Sequence, residues 1–368
     1  MMHAADFWRH VCALSLKESR QIIRDKSSIL VGVVLPLILL ILFGHGISFD
    51  VKDIRLAVAA DQTSAQATLY TQALANNDAF IVDVFPTRKE AFNALNRFEA
   101  EAVIVFEKRP DAGEVQLLVD GIDAPRATMV ANAVLATILA TIQGAGSLQT
   151  QSKGITVIPR IWFNESAESR WYLVPGLIVI ILTMIGTMLT GLVIAREWER
   201  GTMEALLATP ISPWALLLSK IIPYFVLGAF GWVLCMIAAV WVYHIPIRGG
   251  LGLITLSSAL YLLVSLCIGL VISGATRSQF LSSQIALLAS FLPAVILSGF
   301  IFDLRSAPQW ANVIAYAMPP VYFLDLLKVG FLTGGMHALV VKNLLVLTGF
   351  AVVLLMIARH LCEKRVRK

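Results

Sequence analysis

The residues best suited to specific chemistry lie in a charged segment between two long apolar runs. Residues 196–210 read REWERGTMEALLATP, in which carboxylates and guanidinium groups are followed by Gly-Thr and then by about two helical turns that end at Pro210. Met203, Leu206 and Leu207 share one face of such a helix. A helix this short is marginally stable in water by itself. The segment therefore predicts a short helix that docks on another protein, so its chemistry is recognition rather than catalysis.

Motifs for catalysis are absent from the sequence. It contains no G-x-x-x-x-G-K-[ST] phosphate loop, no G-x-S-x-G and no H-E-x-x-H. Its six histidines are scattered near apolar-run ends and termini, and its four cysteines include no C-x-x-C pair. We therefore predict no catalytic residue, no metal site, no disulfide framework and no cofactor in this chain. Nothing suggests a nucleic-acid partner.

The composition is that of a membrane protein. Hydrophobic residues make up 58% of the chain and charged residues 14%, whereas soluble domains carry about 25% charged residues. Apolar runs of about 20 residues are long enough to cross a bilayer. The sequence predicts six transmembrane helices, at residues 27–47, 172–195, 216–243, 251–273, 284–302 and 338–358.

The distribution of lysine and arginine predicts the orientation. The termini and the 196–200 segment are rich in these residues, whereas the short loops on the other side carry only Arg248, Arg305, Lys328 and Lys342. Positively charged residues favour the cytoplasmic side. Both termini are therefore expected inside, with residues 48–170 outside.

Residues 48–170 alternate strand and helix patterns, which predicts a small α/β domain. Strands are expected at 54–60, 79–85, 102–106 and 115–119, and helices at 63–76 and 87–98. A long alanine-rich helix at about 125–145 follows. Its apolar stretch leaves open a seventh span, but Arg126, Asn132 and Gln143 favour a helix outside the membrane.

Residues 3–25 predict an amphipathic helix on the inner leaflet. Phe7, Val11, Leu14 and Ile22 line one face, and Glu18 falls in the middle of this apolar stripe. The alternative is a solvated basic flank, which leaves the position of Glu18 unexplained.

The predicted spans hold almost no ionisable side chains, although ion-driven carriers usually need them. Energy for uphill transport would then come from a partner. The spans do contain mildly polar residues, which either allow close helix packing or form a weakly polar lining for an amphiphilic substrate: Thr183, Thr187, Thr190, Ser290 and Ser298. Prolines in the segment 303–330 predict two short half-buried helices in the outer leaflet instead of one continuous helix.

Four features together resemble the permease subunits of the ABC-2 type transporter family, in the multidrug-export branch with a large extracytoplasmic domain. They are Lys17-Glu18 in the first helix, the segment Ala195 to Pro210, the W-F-N and V-P-G motifs (Trp162–Asn164 and Val174–Gly176), and L-S-G-F-I-F at Leu297–Phe302. Two places depart from the family pattern. Asn164 is followed by Glu165, where such permeases commonly have Asn-Pro, and Met318-Pro319-Pro320 stands where Asn-Pro is frequent.

The resemblance implies an α-helical polytopic membrane protein of six transmembrane helices with an inserted α/β domain. Its expected layout is a connecting helix at 1–26, a first span at 27–47, an extracytoplasmic domain at 48–170 and the remaining spans at 171–368. It also implies two paired permeases, as a homodimer or with a sister subunit, and a separate ATPase subunit that binds ATP and Mg. The coupling helix at 197–210 would contact that ATPase through Glu197, Glu199, Arg200, Gly201, Thr202, Met203, Glu204, Leu206 and Leu207. The connecting helix, with Lys17, Glu18 and Arg20, would frame this contact.

The expected function is therefore that of the permease subunit of an ATP-driven exporter for amphiphilic drug-like or lipid-like compounds, in a bacterial inner membrane. Membrane lipid and a periplasmic adaptor protein are further expected partners. Two alternatives from other classes remain: a membrane-anchored receptor or structural protein that acts through residues 48–170, and a self-sufficient secondary carrier.

Overall fold

The computed structural model of the chain describes residues 4–46, 54–59, 65–97, 99–106, 115–119, 124–146, 169–209, 211–300, 308–334 and 337–362. Within these ranges, residues 54–146 form one compact unit and the remainder form another. Several predicted features lie outside the described residues: the W-F-N motif at 162–164, Glu165, Pro210, Arg305 and the basic C-terminal residues 363–368.

The helices and strands follow in chain order. They are α1 (Ala4–Arg24), α2 (Lys26–Ile29), α3 (Leu35–Gly46), β1 (Ile54–Ala59), α4 (Ala65–Ala75), β2 (Phe80–Phe85), α5 (Arg88–Asn96), β3 (Ala102–Phe106), β4 (Val115–Val119), α6 (Ala124–Gly146), α7 (Ser169–Gly191), α8 (Val193–Glu199), α9 (Thr202–Ala208), α10 (Pro213–Trp241), α11 (Leu251–Thr276), α12 (Gln279–Leu292), α13 (Gln309–Tyr316), α14 (Pro319–Lys328) and α15 (His337–Leu361), with π-helical turns at Leu30–Val34, Pro293–Leu297 and Val329–Thr333.

Six helical stretches are long and apolar enough to cross a membrane, which confirms the six predicted spans. They are Lys26–Gly44, Arg170–Glu199, Pro213–Trp241, Leu251–Thr276, Gln279–Leu297 and His337–Leu361. The second stretch consists of α7 and α8, and it is the most deeply buried of the six, with 89% of its most apolar window inside the protein. It packs against α3, α10, α11 and α12. The second span is therefore the centre of the bundle, and the exposed apolar residues of the outer helices, such as Phe230 and Leu345, are suited to contact lipid.

Small residues bring α7 close to α11. A Cβ atom at Gly186 would collide with Ser265, and one at Gly269 would collide with Thr190. Small residues at helix contacts let backbones approach closely in membranes, where no hydrophobic effect drives helices together.

The proline-rich segment after the fifth span forms the two short helices that the sequence predicts. α13 and the helix that begins at Pro319 meet at an angle of 82°. Most of the α14 side chains are buried, and Phe323 stacks on Tyr261 of α11 with ring centroids 4.1 Å apart. α14 is therefore more deeply buried than expected, because its apolar face packs on the bundle. Its insertion in the outer leaflet stays a prediction.

The smaller unit contains a four-stranded sheet in the order β2-β1-β3-β4. β1 is parallel to β2 and to β3, and β4 is antiparallel to β3. One sheet face packs on residues of α4 and α6, including Val130, Val134 and Ile138, and the other packs on α5. The predicted α/β pattern is confirmed, and α6 packs Val130, Val134 and Ile138 on the sheet. Its apolar stretch, Met129–Thr141, is shorter than a membrane span, which agrees with the prediction of six spans rather than seven.

Candidate functional site

The charged segment forms two short helices with a sharp turn between them. α8 is the last part of the second span and ends at Glu199, and α9 starts at Thr202. Gly201 lies at the turn with a φ of +69°, a left-handed conformation that side chains other than glycine rarely adopt. A Cβ atom at Gly201 would meet no atom within 4 Å, so the backbone angle alone accounts for glycine there.

The apolar residues predicted to share one face of α9 differ in their exposure. Met203 is buried within the chain, and Leu206 is half-buried. Met203 therefore anchors α9 to its own protein and is not exposed to a partner, which differs from the predicted shared stripe. The side chain of Leu207 lies outside the described residues. Of the other residues predicted for the interface, Glu197 is buried. The rest are exposed: Glu199, Arg200, Gly201, Thr202 and Glu204.

Glu197 belongs to a group of four charged residues, here called the ion network, that joins three helices. Its Oε1 lies 2.7 Å from Nζ of Lys17 on α1 and 3.6 Å from Nζ of Lys220 on α10. Lys220 also lies 2.7 Å from Oε1 of Glu18 on α1. Two carboxylates and two ammonium groups balance each other, and such balance is required because an uncompensated buried charge is strongly destabilising.

The ion network explains the position of Glu18 in the apolar stripe of α1. Val11 and Ile22 on the same face are buried, and α1 packs against α10. Ser15 adds a hydrogen bond from its hydroxyl to the carbonyl of Ser219, at 3.3 Å. Lys220 is not among the residues predicted from the sequence, although a lone Lys inside the predicted span 216–243 is a signal of a buried polar function.

The turn between α8 and α9 is tied directly to the ion network. The Thr202 hydroxyl donates hydrogen bonds to the Glu197 carboxylate and, at 3.2 Å, to the Glu197 carbonyl. The first residue of α9 and the buried carboxylate of α8 are therefore held together. A displacement of α9 would act on the same carboxylate that binds α1 and α10.

Asp25 links the start of the first span to the end of the second. Its carboxylate accepts hydrogen bonds from the Ser27 amide at 3.1 Å and the Ser28 hydroxyl at 3.0 Å, and it pairs with Arg196 at 3.2 Å. Burial by itself would raise the pKa of Asp25, but the hydrogen bonds from Ser27 and Ser28 and the charge of Arg196 outweigh it, so the pKa lies below its ordinary value.

Glu199 links α8 to the start of the fifth span. Its carboxylate accepts a hydrogen bond from the Gln279 amide at 2.7 Å and another from the Gln279 side chain. This arrangement caps α12, because the first amides of a helix lack partners within it. Arg277 lies over the Trp198 ring at 4.4 Å from its centroid, as a cation–π contact at the same junction.

The residues considered for a substrate path are all buried, and their hydroxyl groups have partners within the bundle. Thr183 and Thr190 bond to carbonyls one turn earlier on α7, and they also reach the Tyr261 hydroxyl and the Leu266 carbonyl of α11. Thr187 bonds to the Thr183 carbonyl. The remaining two, Ser290 and Ser298, bond locally to backbone groups. This arrangement favours the packing interpretation, while a role in a path stays a prediction.

The charged groups of the site join helices to one another. Among the residues that the structure describes, no cluster of three or more His, Cys, Asp or Glu side chains could hold a metal ion. The charged groups at the base of α9 instead connect the first, second, third and fifth spans and α1. Such an arrangement can pass a displacement of one short helix to several membrane helices.

Comparisons with known proteins identify relatives over nearly the whole chain. Residues 26–359 match the family described as "ABC-2 family transporter protein". The chain is 39% identical over 355 residues to the "Probable multidrug ABC transporter permease YbhS" of Escherichia coli K12, covering 94% of each protein. It is 26% identical over 326 residues to "Probable multidrug ABC transporter permease YbhR" of the same strain, covering 85% of the chain and 87% of the relative.

Proposed function

The chain belongs to the ABC-2 family of transporter proteins, as a membrane permease subunit, and from this premise we propose that it exports amphiphilic compounds with energy from a separate ATPase that docks on α9. In this family the hydrolysis of ATP belongs to a separate subunit, so the permease itself is not an enzyme. The family also implies that permeases pair, and we propose that this chain pairs with a second copy or a sister permease.

One observation carries the proposal: the exposed helix α9 is attached to a buried, charge-balanced junction. Its charged face is open, whereas Met203 and the Thr202–Glu197 bonds fix its base. A loop that merely connects two spans does not need a buried carboxylate shared by three helices. A helix that docks on a partner and transmits its movement needs both an accessible surface and a rigid attachment to the bundle.

The coupling mechanism follows from these contacts. When ATP binding draws the two ATPase subunits together, each moves the α9 helix docked on it. Glu197 and Glu199 carry this displacement to α1, α10 and α12, and α8 carries it to the centre of the bundle. The tilt of these helices would open a path between the paired permeases.

The first experiment tests the docking of α9. We expect Leu206→Asp to abolish co-purification of the ATPase in mild detergent and ATP-dependent transport, because it places a charge in the half-buried apolar contact. Leu206→Met is the matched control and should retain both, since it keeps an apolar side chain of similar volume. An unchanged pull-down of the ATPase by Leu206→Asp, with normal membrane insertion, would contradict the docking role.

The proposed substrate class is inferred from the names of the relatives, which describe probable multidrug permeases. In reconstituted vesicles we expect export of amphiphilic compounds only when the ATPase and ATP are present. Accumulation of solute by the permease alone, driven by a proton gradient, would instead support the secondary carrier.

The proposed location is a bacterial inner membrane, with both termini in the cytoplasm and residues 48–170 outside. A reporter fused near Gly113 should therefore respond to the extracytoplasmic side. A cytoplasmic response there would contradict the orientation, and it would also place α9 on the wrong side for an ATPase.

A further inference from the structure

A strongly basic cavity opens beside the ion network, between α1 and the ends of the membrane helices. Its volume is about 650 Å³, within the range of about 300–1,000 Å³ that is typical of small-molecule sites. Asp25 is the one carboxylate among its lining residues, which include five cations: Lys17, Arg20, Arg24, Arg196 and Arg200.

Three of these cations form no ion pair among the residues that the structure describes. Lys17 pairs with Glu197 and Arg196 pairs with Asp25. Arg20, Arg24 and Arg200 form no ion pair with any residue in the part of the chain that the structure describes. Guanidinium groups bind phosphate oxygens through two parallel hydrogen bonds, and three of them around one cavity favour a phosphate-bearing ligand.

The wall residues place the cavity at the depth of the lipid headgroups. Asp25 directly precedes the first span, Arg196 and Arg200 mark the end of the second, and Gln279 is the first residue of the fifth. Span ends lie where hydrocarbon gives way to the polar headgroup region. Basic pockets between membrane helices at this level bind anionic headgroups.

The outer face of α1 provides room for the acyl chains. Trp8, Leu16 and Ile23 are exposed, and at about 100° per residue they fall within an arc of about 80° on the helix. Arg20 and Arg24 lie next to this strip around the circumference of α1, on the side of the helix that lines the cavity. An exposed apolar strip that borders a basic face is typical of a helix lying in the membrane interface.

We propose that this cavity binds the phosphate of an anionic phospholipid, whose acyl chains lie along Trp8, Leu16 and Ile23. The bound phosphate balances the excess positive charge of the cavity and joins α1 to the ends of the second and fifth spans. The proposal requires that the chain lies in a membrane, but it does not depend on the docking of an ATPase.

The test measures lipid binding by the purified full-length chain. Short-chain phosphatidylglycerol, short-chain phosphatidylcholine and inorganic phosphate are titrated separately, and bound molecules are counted by native mass spectrometry. We expect selective binding of phosphatidylglycerol, and about tenfold weaker binding for each guanidinium removed in the Arg20→Gln/Arg24→Gln variant. Arg9→Gln is the matched control, because Arg9 is exposed, pairs with Asp6 and does not line the cavity.

The outcomes separate the possible occupants. Unchanged phosphatidylglycerol binding by Arg20→Gln/Arg24→Gln, or an equal loss in Arg9→Gln, would overturn the site. Inorganic phosphate that binds as tightly as the lipid would assign the cavity to a soluble anion and overturn the lipid proposal. Equal binding of phosphatidylcholine would show that the apolar strip, and not the charge, selects the ligand, and this would overturn the proposal of an anionic lipid. If the double variant loses the ATPase in a pull-down but keeps the lipid, the cavity belongs to that protein partner instead.

Discussion

Replacement of Lys220 by methionine offers the sharpest test of the ion network. The Lys220 side chain is 3% exposed and that of Glu18 is 4% exposed. Lys220→Met therefore leaves the Glu18 carboxylate buried, and among the described residues Lys17, at 3.9 Å, is the remaining cation in contact with it. Removal of one partner from a buried ion pair costs about 3–5 kcal/mol. At about 2 °C for each kcal/mol in a large domain, the apparent Tm should fall by about 6–10 °C.

Two further variants make the reasoning specific. Lys17 is 47% exposed, so water screens its charge, and Lys17→Met should cost about 1 kcal/mol or less. The double variant Glu18→Leu/Lys220→Met removes both buried charges together, and it should melt much closer to the native protein, because apolar replacement of a whole buried pair is often neutral.

The assay is thermal unfolding of the full-length protein in one detergent, followed by tryptophan emission. We expect the Tm to be highest for the native protein, slightly lower for Lys17→Met and lowest for Lys220→Met. The double variant should melt above Lys220→Met. A Lys220→Met variant that melts with the native protein would refute the buried pair. A double variant that melts below Lys220→Met would refute the argument from uncompensated charge.

Three other predictions use the same melting assay. Gly201→Ala should lower the stability by about 1–2 kcal/mol because of its positive φ, and Gly201→Asn should cost less, since asparagine tolerates this conformation; equal stability of Gly201→Ala and the native protein would contradict the strained turn. Asp25→Asn should lower the Tm at neutral pH, and the difference should shrink as the pH falls below about 4 and vanish only below the lowered folded pKa, because a carboxyl whose folded pKa is lowered contributes fully above its unfolded pKa and loses this contribution as the pH falls through the folded pKa; a difference that stays constant as the pH falls through this range would argue against the charge. Gly231→Ala should cost about 1–3 kcal/mol, because its Cβ would collide with the backbone carbonyl oxygen of Gly32, whereas Gly252→Ala, which faces open space, should be neutral or slightly stabilising; equal effects of the two would count against the close approach of the helices.

Much of the fold could be predicted from residue patterns. The six spans follow from runs of apolar residues, because a membrane helix satisfies all its backbone groups internally and needs only length and hydrophobicity. The strands β1 to β4 follow in the same way from short runs of β-branched and apolar residues between turn residues. The ends of the helices differ by a few residues from the prediction, as at 279 instead of 284 for the fifth span.

The candidate site could be predicted only in part. The turn at Gly201 and the short helix after it were readable, since glycine and proline bound them in the sequence. Glu18 was recognisably out of place in an apolar stripe, but its partner Lys220 lies 202 residues further along the chain. No local pattern relates two residues at such a separation.

The sequence by itself determined that the chain crosses a membrane, that it carries a separate α/β unit and that a charged helix interrupts its apolar segments. Those properties depend on local composition and periodicity, and each segment expresses them independently of the others. Only the tertiary structure decided that Met203 turns inward, that the Glu197 carboxylate contacts α1 and α10, and that four arginines gather around one cavity. These properties depend on which distant side chains meet, and the packing of α1, α8 and α10 determines this.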